Sequence, residues 1–336
     1  MGSTHGGPRR ASIKTSIVWV SLLALTLAAP ATLSPLAARA DGPIAGNVAA
    51  NWGLENFDPP YGDYNGHPLQ VASGWTRFQL NGEAARFMSD NEYASTFANS
   101  GAIPRHLEGN ASQNLWLGHP FEAGIYQQMP VTPGKPYTAK AMWLSAVGST
   151  IPEATDKMMK QIGIDAYGGT NPTSPWIVWG DESGRNKSFL DTRAAARAKG
   201  DKITLFIKLK NLPETKPDWD AAWIDAVVAV EAPECKASAP ANSPTGSFNV
   251  EWSAQNPPNG QLKGQYDVDY KDGMNGPWVR WQSQTGATSA TFDKGEPGHT
   301  YYFRARAWAR YSDLVDLYGA FSPGGDTFTV VGAPAS

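Results

Sequence analysis

GIYQQMPVTPGKPYTAKAMW, residues 124–143, decides the fold of this chain. Two runs rich in aromatic and alternating apolar residues flank Val131-Thr132-Pro133-Gly134, whose Pro and Gly end one strand and start the next. On the second run Tyr137, Ala139, Ala141 and Trp143 share one face, which reads as core. Outward from this segment the same texture recurs at QIGID (161–165), KITLFIKLK (202–210), AWIDAVVAV (222–230), SFNVEWS (247–253), GQYDVDYK (264–271), PWVRWQS (277–283) and YYFRARAW (301–308). Only Asp191–Lys199, DTRAAARAK, has good helix composition, and it lacks a broad apolar face. Many short strands between Gly and Pro turns predict an all-β chain of two antiparallel sandwiches.

The ends and the charge bound the class. Arg9, Arg10 and Lys14 precede a 13-residue apolar run, Ile17–Ala29, and Ala38-Arg39-Ala40 closes the segment. That is the layout of an export signal covering residues 1–40, and the run falls short of the roughly 20 residues a bilayer span needs. The expected location is therefore secreted, extracellular or at the cell surface, with no membrane span after signal removal. RRASIK partly fits a twin-arginine signal, with Ser where that pattern prefers Phe, which leaves the export pathway open. Without residues 1–40 the chain carries 24 Lys and Arg against 31 Asp and Glu, a balance of −7. A net negative surface disfavours nucleic acid and anionic membrane as partners. Cys235 is the only cysteine, so no internal disulfide exists, and a free linker thiol is the simple expectation.

APECKASAPANSPTG, residues 232–246, holds three prolines among small and polar residues and reads as an extended linker. The expected organisation is signal 1–40, first sandwich 41–231, linker 232–246 and second sandwich 247–332.

Function points to the loop in IGIDAYGGTNPTSPWIVW, residues 162–179. Flat rings beside hydrogen-bonding side chains suit a sugar, whose apolar face stacks while its hydroxyls pair with polar groups. The candidate ring contacts are Tyr167, Trp176, Trp116, Tyr126 and Trp179, with Trp176 and Tyr167 foremost. Asp165 falls on the strand phase opposite Ile162 and Ile164, which turns it away from the core. It has two readings: an acceptor for sugar hydroxyls, helped by Gln128 and Asn171, or a cap on its own Gly-rich turn.

Residues 51–231 resemble the galactose-binding-type jelly roll of carbohydrate-binding modules. NWGLENFD (51–58) stands at the family's opening strand, GIYQQMPVTPGKPYTAKAMW reads as a hairpin, and AAWIDAVVAVEA (221–232) reads as the closing Asp-containing strand. That resemblance implies a structural calcium held by Glu55 and Asp225, completed by backbone carbonyls and a side chain such as Asn56. Residues 247–331 resemble a fibronectin type III domain: Trp252 in FNVEW sits at the buried strand-B tryptophan, and Tyr301 in PGHTYYFRARAWA at the tyrosine corner. In that domain Arg304 and Arg306 are expected to face water and to pair with Asp267 and Asp269, stacking on Trp278 or Trp281.

The chain contains no His-Glu-x-x-His zinc pair, Gly-x-Ser-x-Gly elbow or Gly-Lys phosphate loop. The expectation is a non-catalytic protein, although a glycosidase carboxylate pair among Asp63, Asp90, Glu92, Glu122 and Asp165 stays open. The expected partner is a polysaccharide or glycan; the alternative is an extracellular adhesion or scaffold protein that binds other proteins.

Overall fold

The computed structural model describes Met1, Gly2 and residues 43–332, apart from 92–93, 98–100, 149, 153–156, 187 and 213–219. The expected signal therefore lies almost wholly outside the described residues. Among the described residues there are 23 strands and no helix. In chain order, β1 (Gly62–Tyr64) and β2 (His67–Leu69) form a hairpin, followed by β3 (Thr76–Gly82) and β4 (Arg86–Asp90). A second hairpin joins β5 (Ala94–Phe97) to β6 (Gly101–Pro104). The first sandwich continues with β7 (Ser112–Trp116), β8 (Phe121–Pro130), β9 (Pro136–Val147), β10 (Met158–Asp165) and β11 (Ile177–Trp179). It is completed by β12 (Leu190–Arg197), β13 (Lys202–Asn211) and β14 (Asp220–Glu231).

Two five-stranded antiparallel sheets, ordered β11-β10-β13-β8-β3 and β12-β9-β14-β7-β4, close over one core as a jelly-roll sandwich. Phe121, Ile125 and Met129 of β8 meet Tyr137, Ala139 and Trp143 of β9 inside it. The expected 124–143 hairpin is corrected here: β8 and β9 belong to different sheets, and the Val131–Lys135 turn crosses between them. Its backbone is tied to another turn through Val131 N–H to Asp201 O (2.9 Å) and Gly134 N–H to Ala198 O (2.9 Å), and to β9 through Thr132 N–H to Tyr137 Oη (3.0 Å). Both strands are apolar on the face they turn toward each other, and packing face to face buries those stripes where edge-to-edge pairing would leave them side by side.

The Ala-rich 191–199 segment, despite its helix composition, joins the sheets: Leu190–Arg197 is strand β12, paired with β9. Thr192, Ala194, Ala196 and Ala198 are buried in alternation. Ala194 and Ala196 lie opposite Ala139 and Tyr137, and Thr192 Oγ1 accepts the Trp143 indole N–H at 2.8 Å. Small residues leave room for the neighbouring large rings, and that packing overrides alanine's helix propensity.

The second sandwich follows without slack. β15 (Glu234–Ser238) and β16 (Asn242–Ser243) lie inside the stretch expected as a linker. Next come β17 (Phe248–Gln255), β18 (Gln261–Asp272), β19 (Val279–Thr285), β20 (Ser289–Phe292), β21 (Thr300–Ser312), β22 (Val315–Tyr318) and β23 (Thr327–Val331). The sheets are β15-β17-β20 and β16-β23-β21-β18-β19, with β22 folded back on β21. Cys235 is free as expected, but it sits buried in strand β15 and not in a linker, and burial pushes its thiol up to about 12. Trp252, Tyr301, Phe303 and Phe292 fill the core. Val315 and Leu317 of β22 reach across to Ile44, Val228 and Val230 of the first sandwich, so the two share a small core. Tyr311 Oη donates to Glu231 O (2.6 Å) and Tyr318 Oη to Arg193 O (3.2 Å) beside it.

Candidate functional site

The β10–β11 loop is built by its own polar groups. Asp165 is 1% exposed, and its Oδ1 accepts the Tyr167 N–H at 2.8 Å. The side chain therefore turns back into the turn instead of out to a ligand: the capping reading stands, and the sugar-acceptor reading is corrected. The strand phase was right for β10, but the chain folds over the position it points to. Gln128 donates to Gly168 O (2.7 Å), which pins the loop to β8. Asn171 Oδ1 accepts from Thr173 N–H (3.0 Å) and Thr173 Oγ1 (2.8 Å). Both amides hold the loop's shape through one end of the side chain.

What this scaffold presents is a pair of rings. Tyr167 is 54% and Trp176 61% exposed, with ring centroids 5.3 Å apart and planes at 62°. Rings held on a braced loop bind with little further ordering cost.

An aromatic layer continues from the loop across the outer face of the β11-β10-β13-β8-β3 sheet. Trp179, Phe206 and Tyr126 lie in one cross-strand row, with Gly163 between the first two. Phe206 and Phe78 are buried beneath the half-buried Trp179 and Tyr126, whose rings stand 6.3 and 5.4 Å from Phe206. Glycines make this layer possible: a Cβ on Gly163 would lie 2.6 Å from the Trp179 ring, and one on Gly124 2.7 Å from Phe78. The Lys208 ammonium sits 4.6 Å from the Trp179 ring centre and 2.9 Å from the Glu122 carboxylate. Phe206, Phe78 and Lys208 escaped the sequence reading. The available signal was an aromatic at 206 on the polar phase of KITLFIKLK.

Trp116 lies apart from this group, on the other sheet. It packs edge-on to Tyr64 at 5.1 Å, with the Arg86 guanidinium 4.5 Å above it and its indole N–H on Met88 Sδ (2.8 Å). It borders a groove of about 350 Å³ with His67, Asp90 and Asn114. The structure thus brings Tyr167, Trp176, Trp179 and Tyr126 onto the loop and one sheet, and leaves Trp116 on the opposite side of the sandwich.

The described carboxylates of the open glycosidase pair all have structural partners. Asp63 accepts the Gly66 N–H (2.9 Å), Asp90 holds Arg105 (3.1 Å) and the Trp223 indole (2.8 Å), and Glu122 holds Lys208. Glu92 lies outside the described residues. Ser145 and Lys160 make a nucleophile–amine pair at 3.1 Å, but they are 0% and 1% exposed, which closes them to any substrate.

Glu55 and Asp225, the positions implied for calcium, are bound by one loop. Asp225 Oδ2 accepts from Leu107 N–H (2.6 Å) and Glu108 N–H (2.9 Å), and Glu55 accepts from Asn110 N–H (2.8 Å). Burial, with the Glu55 charge adding, pushes Asp225 up to about 8. Leu54 and Ala226, next to the two acids, have φ of 53° and 46°, in the left-handed region that costs a non-glycine residue about 1–3 kcal/mol. The two carboxylates would supply charge to a calcium ion in exchange for the backbone N–H bonds that all four of their oxygens accept here. Among the described residues no third His, Cys, Asp or Glu joins them, so carbonyls would complete the shell.

No family model matches the chain, and no curated protein does. Among solved structures, TmCBM61 in complex with β-1,4-galactotriose aligns at 14% identity over 55% of this chain and 98% of its own, with a TM-score of 0.35. The CBM22-1–CBM22-2 tandem of Paenibacillus barcinonensis Xyn10C aligns at 10% identity over 87% and 100%, with a TM-score of 0.32. The Spr0440 glycoside hydrolase domain, Endo-D, of Streptococcus pneumoniae R6 aligns at 12% identity over 74% of this chain and 36% of its own, with a TM-score of 0.31. Likenesses at this level assign no role to any residue of this chain.

Proposed function

We propose that this is an exported, non-catalytic carbohydrate-binding protein that attaches to extracellular or cell-surface polysaccharide. The observation that carries the reading is the exposed Tyr167–Trp176 ring pair, 5.3 Å apart on a loop braced by Asp165, Gln128 and Asn171. Trp179 and Tyr126 extend it as a stacking surface along the sheet. The carboxylates committed to structural partners support a binding role over a catalytic one. The second sandwich is a rigid contact module of fibronectin type III kind; its three-strand and main sheets, buried Trp252, and Tyr301 Oη accepting the Glu296 N–H (3.1 Å) support that reading. Affinity electrophoresis through polysaccharide gels tests the function. Wild-type protein is expected to be retarded and Trp176→Ala to run freely at an unchanged melting temperature; no retardation by any polysaccharide overturns it.

A structural calcium at Glu55 and Asp225 belongs to the same proposal. Calcium at 100 times its dissociation constant adds about 2.7 kcal/mol to stability. Chelator is expected to lower the melting temperature, and an unchanged one removes the ion.

Protein adhesion is the second reading, favoured by Val279, Phe328 and Val330, which stand 44%, 48% and 37% exposed on the second sandwich. Concentration-dependent self-association or retention of secreted proteins, without sugar binding, would select it.

A further inference from the structure

A cleft of about 460 Å³ lies where β11 and β12 of the first sandwich face β18, β19 and β21 of the second. That volume is within the range of small-ligand sites. Arg197 and Lys199 stand on one wall and Arg280, Arg304 and Arg306 on the other; the acids lining it are Asp181 and Asp269. Three guanidinium groups share two carboxylates on the second wall. Asp267 takes Arg306 Nε (2.8 Å) and Arg280 Nη1 (3.0 Å), while Asp269 takes Arg304 Nη2 (2.8 Å) and Arg280 Nε. This wall therefore carries an unbalanced positive charge in a chain whose net charge is negative. Arg280 is 38% exposed and Lys199 is exposed, so both reach the solvent side of the cleft.

Flat surfaces lie beside the charges. The half-buried Phe321 ring sits 4.4 Å from the Arg304 guanidinium and 5.4 Å from that of Arg280. On the opposite wall is Trp179, which also ends the aromatic row of the sheet. A ring flanked by excess guanidinium groups recognises a sugar that is itself an anion: the ring stacks on the pyranose face and the cation pairs with its carboxylate. Burial lowers Arg304 below the usual guanidinium range, and Arg280 and Arg306 lower it further against the pull of Asp269, so an added anion eases the crowding.

We propose that this cleft binds uronic acid units of an extracellular polysaccharide, with Arg280 and Lys199 meeting the carboxylates and Trp179 and Phe321 stacking on the sugar. The inference rests on the carbohydrate-binding reading and narrows its ligand to an acidic one.

The test is affinity electrophoresis of the full chain in polygalacturonate, neutral galactan and poly-glutamate gels at low and high salt. Polygalacturonate is expected to retard the protein most strongly, in a salt-sensitive way. Arg280→Gln and Lys199→Glu are each expected to weaken that binding about tenfold, Lys199→Glu at an unchanged melting temperature and Arg280→Gln at a lowered one, because Arg280 also pairs with the buried Asp267 and Asp269. Lys199→Glu guards against a folding defect, because its side chain is at the surface. Retardation by neutral galactan alone overturns the acidic cleft and leaves the carbohydrate-binding reading standing. Equal retardation by poly-glutamate overturns the stacking and with it the proposal, and no retardation by either polysaccharide overturns both readings.

Discussion

Asp165 and Lys160 lie on the same strand, and each owes its role to burial. Asp165 satisfies the first amide of its turn, which a carboxylate does well at a chain reversal and which leaves Tyr167 facing solvent. Lys160 is the more costly case. Its ammonium lies between Ser145 Oγ (3.1 Å) and Arg185 O (2.8 Å) at 1% exposure, and burial lowers it from 10.5 to about 7. A depressed lysine means that the unfolded chain binds more protons than the folded one between pH 7 and 10.5, so stability rises with pH across that window. Below pH 7 the folded protein carries the full cost of a buried charge. Lys160→Met is expected to remove a slope of a few kcal/mol between pH 7 and 10.5. Denaturant unfolding of both proteins at pH 6, 8 and 10 checks this, and parallel curves would show that the ammonium stays charged.

Among the elements, β10 and β12 show how far strand patterning carries. In β10 the alternation was readable, and the Gly163 gap within it lets Trp179 lie over the sheet. Gly163→Ala is expected to cost about 1–3 kcal/mol, because its Cβ must displace Ile177 or the indole, and to weaken polysaccharide retardation together with stability. Melting curves and the tryptophan emission maximum measure it; an unshifted spectrum would mean that Trp179 is not seated on Gly163. In β12, alanine's helix propensity is a weak preference that packing against Tyr137 and Trp143 outweighs. The strand's other face carries Arg193, whose guanidinium lies 5.4 Å from the Trp308 ring of the second sandwich.

At the level of the whole molecule, the main departure from expectation is the arginine ladder. Arg304 and Arg306 do pair with Asp269 and Asp267, and Arg304 stacks on Trp278 at 4.2 Å. Yet the ladder does not face open water. Asp267 and Asp269 are 1% and 4% exposed, and Trp308 on the same face is 8% exposed. Burial alone would raise Asp267, but the Gln284 N–H and the Arg306 and Arg280 charges hold it below the carboxylate range. The β22 strand joins the sandwiches through Leu317, so Leu317→Ala is expected to cost about 2–5 kcal/mol and to lower the stability of both in one transition. Calorimetry reads the outcome, and two separate transitions with only one shifted would mean that the shared core does not couple them.

Alternation along each strand, visible in residues such as Tyr137–Trp143 and Tyr301–Ala307, determined the all-β class, the core faces and the ring-bearing loop from sequence alone. A period of two states which side of a strand is apolar; it does not say what covers that side. Only the tertiary structure decided that β8 and β9 lie in opposite sheets, that Asp165 turns inward, that Trp116 stands apart from Trp176, and that the first sandwich stands over the arginine ladder of the second. Each of these depends on a neighbour distant in the chain, and the burial and electric field such a neighbour imposes are not written in the local pattern.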